Sequence, residues 1–196
     1  MPRTRKRSAP RRIASAGVCA ALSSLLAGCS DERAVDDGAS EQAGQASAVS
    51  RRQGGTSLPR WPAPADVPER VAAAGLDLGP MGMAEHYHPQ LKLIVNAAEV
   101  SVPANIGVDP ATGAMSALHT HTGDGELHVE ADVAGEVFTL GQLFTQWGVR
   151  LSSDQIGGVR TKAGGAVTVT SNGKPYTGDP AELRLEPNQR IVVELT

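Results

Sequence analysis

Large apolar residues recur in short alternating runs through the second half of the chain. Leu91, Leu93 and Val95 alternate along one face, and Val100 and Val102 follow after 96–99, which reads as a β-hairpin ended by Pro103. A second hairpin is predicted from 117–121 and 126–132, turning through Gly123-Asp124-Gly125. Val167 and Val169 lead into Ser171-Asn172-Gly173-Lys174, where Asn-Gly favours the positive φ angles of a two-residue turn. Leu183, Leu185 and the run 191–195 supply the last strands.

Between these strands the period changes once. Leu140, Leu143, Phe144 and Trp147 stand at i, i+3, i+4 and i+7, a single helical face. Thr139 and Gln142 have capping-box spacing, Phe138 and Leu143 that of a hydrophobic staple, and Gly148 stops the helix. Such a stripe is read as core that plugs the sheet. A shorter helix is expected within 68–78, with Val71, Ala74 and Leu78 on one side. Strands, one helix, then strands predict an α+β fold, mostly β: a small antiparallel domain, β-grasp-like or a sandwich, with one packed helix.

The first 60 residues carry no such pattern. Arg3, Arg5, Lys6, Arg7, Arg11 and Arg12 form a basic start, and 13–27 is an uncharged run of small and apolar residues. Fifteen residues fall short of the roughly 20 that span a bilayer, so residues 1–28 read as a cleaved export signal. The closing Leu26-Ala27-Gly28-Cys29 resembles the lipobox of bacterial lipoproteins, which implies that Cys29 becomes the lipidated first residue. Cys19 lies inside the signal, so no disulfide is left to form. Residues 29–80 read as a flexible tether with the possible short helix, and 81–196 as the β-rich domain. At about 5–6 Å times the square root of its length, the stretch 30–60 would hold the domain about 30 Å from the membrane.

Loss of the signal leaves 12 Lys+Arg against 21 Asp+Glu, a net charge of −9. That balance excludes nucleic acid as a partner and excludes adhesion to anionic lipid by charge, so the lipid anchor carries the membrane attachment. The expected location is the cell envelope, with the domain extracytoplasmic. Nucleophile elbow, phosphate loop, dinucleotide fingerprint and HExxH helix are all missing from the sequence.

The chemistry points to imidazole. All five histidines, His86, His88, His119, His121 and His128, lie within 43 residues. A turn at Gly123-Asp124 would set His119 opposite His128 and His121 opposite Glu126; a turn at Asp124-Gly125 would set His121 opposite His128. Either register leaves His119, His121, Glu126, His128 and Glu130 on one face, with Leu118, Leu127 and Val129 on the other. Opposed β-carbons lie about 4.5–5.5 Å apart, close enough for two imidazoles to hold one ion. Copper or zinc would satisfy together a set of groups costly to bury unpaired. His86 and His88, just before the first strand, are candidates to complete the site. Met81 and Met83 precede them; they are read as packing, although thioethers would favour copper(I).

Two resemblances bear on this set. Gly113, His119-Thr120-His121 and Glu126 are similar to the first metal motif of the cupins, which would make the two histidines and the glutamate ligands in an oxygenase or isomerase type of enzyme. No histidine follows His128 to serve a second cupin motif. His86-Tyr87-His88, 102–107 (Val-Pro-Ala-Asn-Ile-Gly), Leu118-His119-Thr120-His121, His128-Val129-Glu130 and 138–148 (Phe-Thr-Leu-Gly-Gln-Leu-Phe, then Trp-Gly) together resemble a family of exported bacterial and archaeal proteins over about residues 70–196. In this chain Thr122 stands where that family has an aspartate. That resemblance implies the domain and its histidines but no reaction. The expectation is therefore a lipid-anchored binder of copper or zinc that captures, stores or delivers the ion. A cupin-like metalloenzyme and a metal-free interaction module are the alternatives.

Overall fold

The structure, a computed structural model, describes residues 57–196. The expected signal, Cys29 and most of the expected tether lie outside the described residues. The strands run in chain order as β1 (Leu78–Gly79), β2 (Glu85–Tyr87), β3 (Gln90–Val95), β4 (Ala98–Val100), β5 (Met115–Ser116), β6 (Leu118–His119) and β7 (His128–Ala131). Then come β8 (Leu151–Ser152), β9 (Gln155–Ile156), β10 (Val159–Arg160), β11 (Val167–Ser171), β12 (Lys174–Tyr176) and β13 (Arg190–Leu195). Two helices, α1 (Val67–Ala73) and α2 (Leu140–Trp147), and a 3₁₀ turn at Pro180–Glu182 complete the set. The fold is α+β and mostly β.

The main sheet has the order β12-β11-β13-β3-β4. Its centre is a parallel pair, β3 with β13, so the sheet is mixed and not wholly antiparallel as expected. Two hairpin turns fix its edges. Asn96 and Ala97 close β3 to β4 with φ of 51° and 63°, and Asn172 and Gly173 close β11 to β12 with φ of 51° and 75°. Positive φ at both central positions matches the right-handed twist of the strands. The order β4-β3-β13-β11, with the helix falling between the two halves in sequence, is the β-grasp arrangement. Leu183 and Leu185 are buried but belong to no strand; Arg184 between them makes a single bridge to Thr139.

Helix α2 forms where its signals place it. The Thr139 side chain accepts from the Gln142 amide at 3.3 Å, the Gln142 side chain accepts from the Thr139 amide at 2.9 Å, and Gly148 ends the helix at φ 75°. Leu140, Leu143, Phe144 and Trp147 share one buried cluster with Leu91, Leu93, Val95, Ile191, Val193 and Leu195. The alternating faces of β3 and β13 and the helix stripe therefore bury against a common core.

The packed domain reaches back beyond residue 81, the expected boundary. Trp61 is buried in the core, edge-on to Trp147 with ring centroids 5.9 Å apart. The Trp147 indole donates to the carbonyls of Trp61 and Pro62, both at 3.2 Å. In α1, Val67 and Val71 are buried. Composition hides this strap, because one tryptophan among prolines and alanines supplies the apolar surface that periodicity normally signals. Among the described residues no helix is long and apolar enough to cross a membrane. Replacing Trp61 by alanine is expected to cost about 3–5 kcal/mol of unfolding free energy in denaturant titration; a loss below about 1 kcal/mol would place the strap outside the cooperative unit.

Candidate metal centre

A second sheet, β2-β7-β6, carries the histidines. Its registers are His119 opposite His128, Leu118 opposite Val129, His86 opposite Glu130 and Tyr87 opposite Val129. Strand alternation sorts these positions into two faces. Leu118, Val129 and Ala131 are fully buried in the core, and Tyr87 packs against it. His86, His119, His128 and Glu130 occupy the other face.

Of the two registers open in the sequence, the structure has the one pairing His119 with His128, but without the tight turn. Pairing of β6 with β7 ends at His119 and His128, and 120–127 forms a wide loop. The end of that loop pairs instead with the start of β3: Gln90 bridges Glu126, Leu91 N donates to the Gly125 carbonyl at 2.8 Å, and Leu127 N donates to the Pro89 carbonyl at 2.9 Å. Gly125 has φ 85°, and a β-carbon there would run into the Leu91 carbonyl, so only glycine fits. Asp124 organises the loop tip, accepting from Thr122 Oγ1 at 2.6 Å and from the Glu126 amide at 3.1 Å. These two bonds hold its carboxyl below the usual range.

The side chains form two groups. His119 Nε2 lies 3.1 Å from His121 Nε2, and His86 Nε2 lies 2.9 Å from His88 Nε2. His128 stands between them, its ring 5.2 Å from that of His119, 4.6 Å from that of His121 and 4.4 Å from that of His88. His119, His121 and His128 present ligand nitrogens within 4.8 Å of one another, and so do His86, His88 and His128. Two carboxylates stand beside the groups: Glu126 Oε1 is 3.3 Å from Nε2 of the shared His128, and Glu130 Oε1 is 3.3 Å from His86 Nε2. All seven sequence candidates thus adjoin one another. Met81 and Met83 do not pack as expected; both are exposed.

His119 is the best-defined member. It is fully buried, and its Nδ1 lies 2.8 Å from the Ser116 carbonyl. A carbonyl only accepts, so Nδ1 carries the proton and Nε2 is left as an acceptor, its lone pair facing His121 Nε2 at 3.1 Å. Burial, reinforced by repulsion from His121, His128 and His86 and opposed by the Ser116 bond, lowers its pKa from 6.5 to about 4. Burial also lowers His128, with help from His88 and His121 and against Glu126 and Glu130. Its Nδ1 is buried without a hydrogen-bond partner, with Glu130 Oε1 3.9 Å away.

Three residues missed in the sequence position this set. Thr120, buried between His119 and His121, donates from Oγ1 to the Pro103 carbonyl at 2.8 Å and accepts there from the Ile106 amide at 3.0 Å. Its backbone exchanges two more bonds with Asn105 and Ile106. Gln146 reaches from α2 to donate to the Leu118 carbonyl at 3.0 Å. Ser116 offers its carbonyl to His119. The available signal was alternation: a threonine between two same-face histidines must point inward and find partners there.

Compared with protein-family models, curated proteins and solved structures, the chain gives no match. The site therefore rests on its own geometry.

Two outcomes are expected in metal-free protein. Thr120→Val leaves the Ile106 amide without its side-chain acceptor and should cost about 1–3 kcal/mol in denaturant unfolding. Because the His119 pKa is lower folded than unfolded, the unfolded chain takes the proton first. Stability is complete above pH 6.5 and should fall by about 3 kcal/mol as the pH drops to about 4. His119→Gln should flatten that slope, and an unchanged slope would remove His119 as its source.

Proposed function

We propose that this chain is a lipoprotein of the cell envelope that binds a transition metal, copper or zinc, on the histidine face of its extracytoplasmic domain. Its work is capture, storage or delivery of the ion. The observation that carries this reading is the pair of Nε2–Nε2 contacts, 3.1 Å and 2.9 Å, on either side of His128. Two nitrogens of one tetrahedral zinc, bound at about 2.0–2.1 Å, stand about 3.3 Å apart. Imidazoles packed so closely on one face, backed by Glu126 and Glu130, form a neutral-nitrogen and carboxylate donor set that suits either metal.

The cupin-like alternative has less support. Cupins are antiparallel double-sheet jelly rolls, whereas this domain is built on a central parallel pair. The interaction-module alternative leaves the closely spaced imidazoles without a purpose. The anchor rests on the lipobox ending at Cys29, and the motif resemblance to exported bacterial and archaeal proteins agrees with it.

The full-length chain purified without chelator should carry copper or zinc at near one-to-one or higher, measured by mass spectrometry. A His119→Ala/His128→Ala variant should lose it. Free metal at 100 times Kd should add about 2.7 kcal/mol of stability, read as a rise in Tm. Absence of both bound metal and a Tm response would overturn the reading. Separately, Cys29→Ser should move the protein from the membrane to the soluble fraction, and retention at the membrane would refute the lipid anchor.

A further inference from the structure

The two histidine groups share one residue, and this has a consequence for how an ion moves. Among the described residues, His119/His121/His128 and His86/His88/His128 are the two sets within 4.8 Å, and no set holds all five. Ligands of one ion at about 2.1 Å cannot stand more than about 4.2 Å apart, so the five histidines do not serve a single ion at once. The groups differ in depth at one ligand: His86 is 56% exposed and His88 is also exposed, as is His121 of the other group, whereas His119 is fully buried. His128, intermediate in exposure, is common to both. Its Nδ1 is buried, which leaves Nε2 as the nitrogen open to an ion, and one lone pair holds one ion.

We infer that these are two overlapping sites, an outer and an inner one, that share His128 and are filled one at a time. This rests on the metal-binding reading and adds a path to it. An ion arriving from solvent is taken by His86, His88 and His128, with Glu130 beside them. It passes inward when its bonds to His86 and His88 break and bonds to His121 and His119 form, while His128 stays attached. His119 meets the ion with an unprotonated Nε2, because its proton is held on Nδ1 by the Ser116 carbonyl, and the ion replaces the Nε2 contact with His121. Two metal–nitrogen bonds are lost and two gained, no electron moves, and neither oxidant nor reductant is required. Glu130 stands beside the outer end at His86, and Glu126 beside the shared His128. An ion that never becomes free is handed on without the full cost of stripping its ligands at once.

The test uses the full-length chain with Zn(II) as the probe, stoichiometry by native mass spectrometry, and release to a chromophoric chelator by stopped flow. The expected pattern is one zinc per chain in the wild type. One zinc should also remain in His86→Gln/His88→Gln and in His121→Gln, because either site alone retains an ion. All these substitutions fall on exposed side chains, so folding is spared. His128→Gln should weaken binding about 100-fold, since it damages both sites. Release from His86→Gln/His88→Gln should be several-fold slower than from the wild type, because the ion can no longer leave through the outer pair and has only the exposed His121. Two zinc ions per wild-type chain would overturn the one-at-a-time sharing, as would a release rate untouched by loss of the outer pair. Both of those results leave metal binding itself intact. Absence of zinc from every form would overturn the metal-binding reading and this path together.

Discussion

The seat of Thr120 is the constraint on which the candidate site depends. Strand β6 contributes only Leu118–His119 to its sheet, too little ladder to fix two imidazoles on its own. Instead Thr120 is held through side chain and backbone to Pro103, Asn105 and Ile106, while Gln146 of α2 grips the Leu118 carbonyl. Gly107 keeps this junction tight, because a β-carbon there would collide with Gln146 Oε1 and the Leu118 carbonyl. The segment 102–107 and the helix thus serve the histidines although neither carries one. Three of the motifs set far apart in the chain are the parts of one support.

On that support the sheet separates two environments across the thickness of a strand. Leu118, Val129 and Ala131 face a dry core, and the residues between them bring nitrogen and carboxylate to the opposite side. Crowding has an electrostatic result at His119 and His128, where burial and repulsion from neighbouring imidazoles both favour the neutral ring. Neutral rings are the form that binds a metal.

Much of this was legible in the sequence, and for identifiable reasons. Helix α2 carried its stripe, its capping box and its stop, all local signals, and each formed. The two-residue turn at Asn172-Gly173 and the sorting of faces in β6 and β7 followed from chemistry and from a period of two. What was lost depended on distant partners. The parallel pairing of β3 with β13 joins segments a hundred residues apart, and no local pattern distinguishes it from antiparallel pairing. The tight turn at Gly123-Asp124 lost to pairing of 125–127 with the start of β3, a competition invisible to hairpin rules. Trp61 was assigned to a tether because its neighbours are small, yet one indole against Trp147 is enough to bind the strap.

The exposure of His86 and His88 also bears on how the molecule behaves in the hands of an experimenter. Clustered surface imidazoles are what immobilised nickel and cobalt resins capture, so the untagged protein would adhere to them through its own face. Such a resin would compete for the histidines and could leave behind an ion of its own. A metal found after that treatment would report the column's history rather than the cell's.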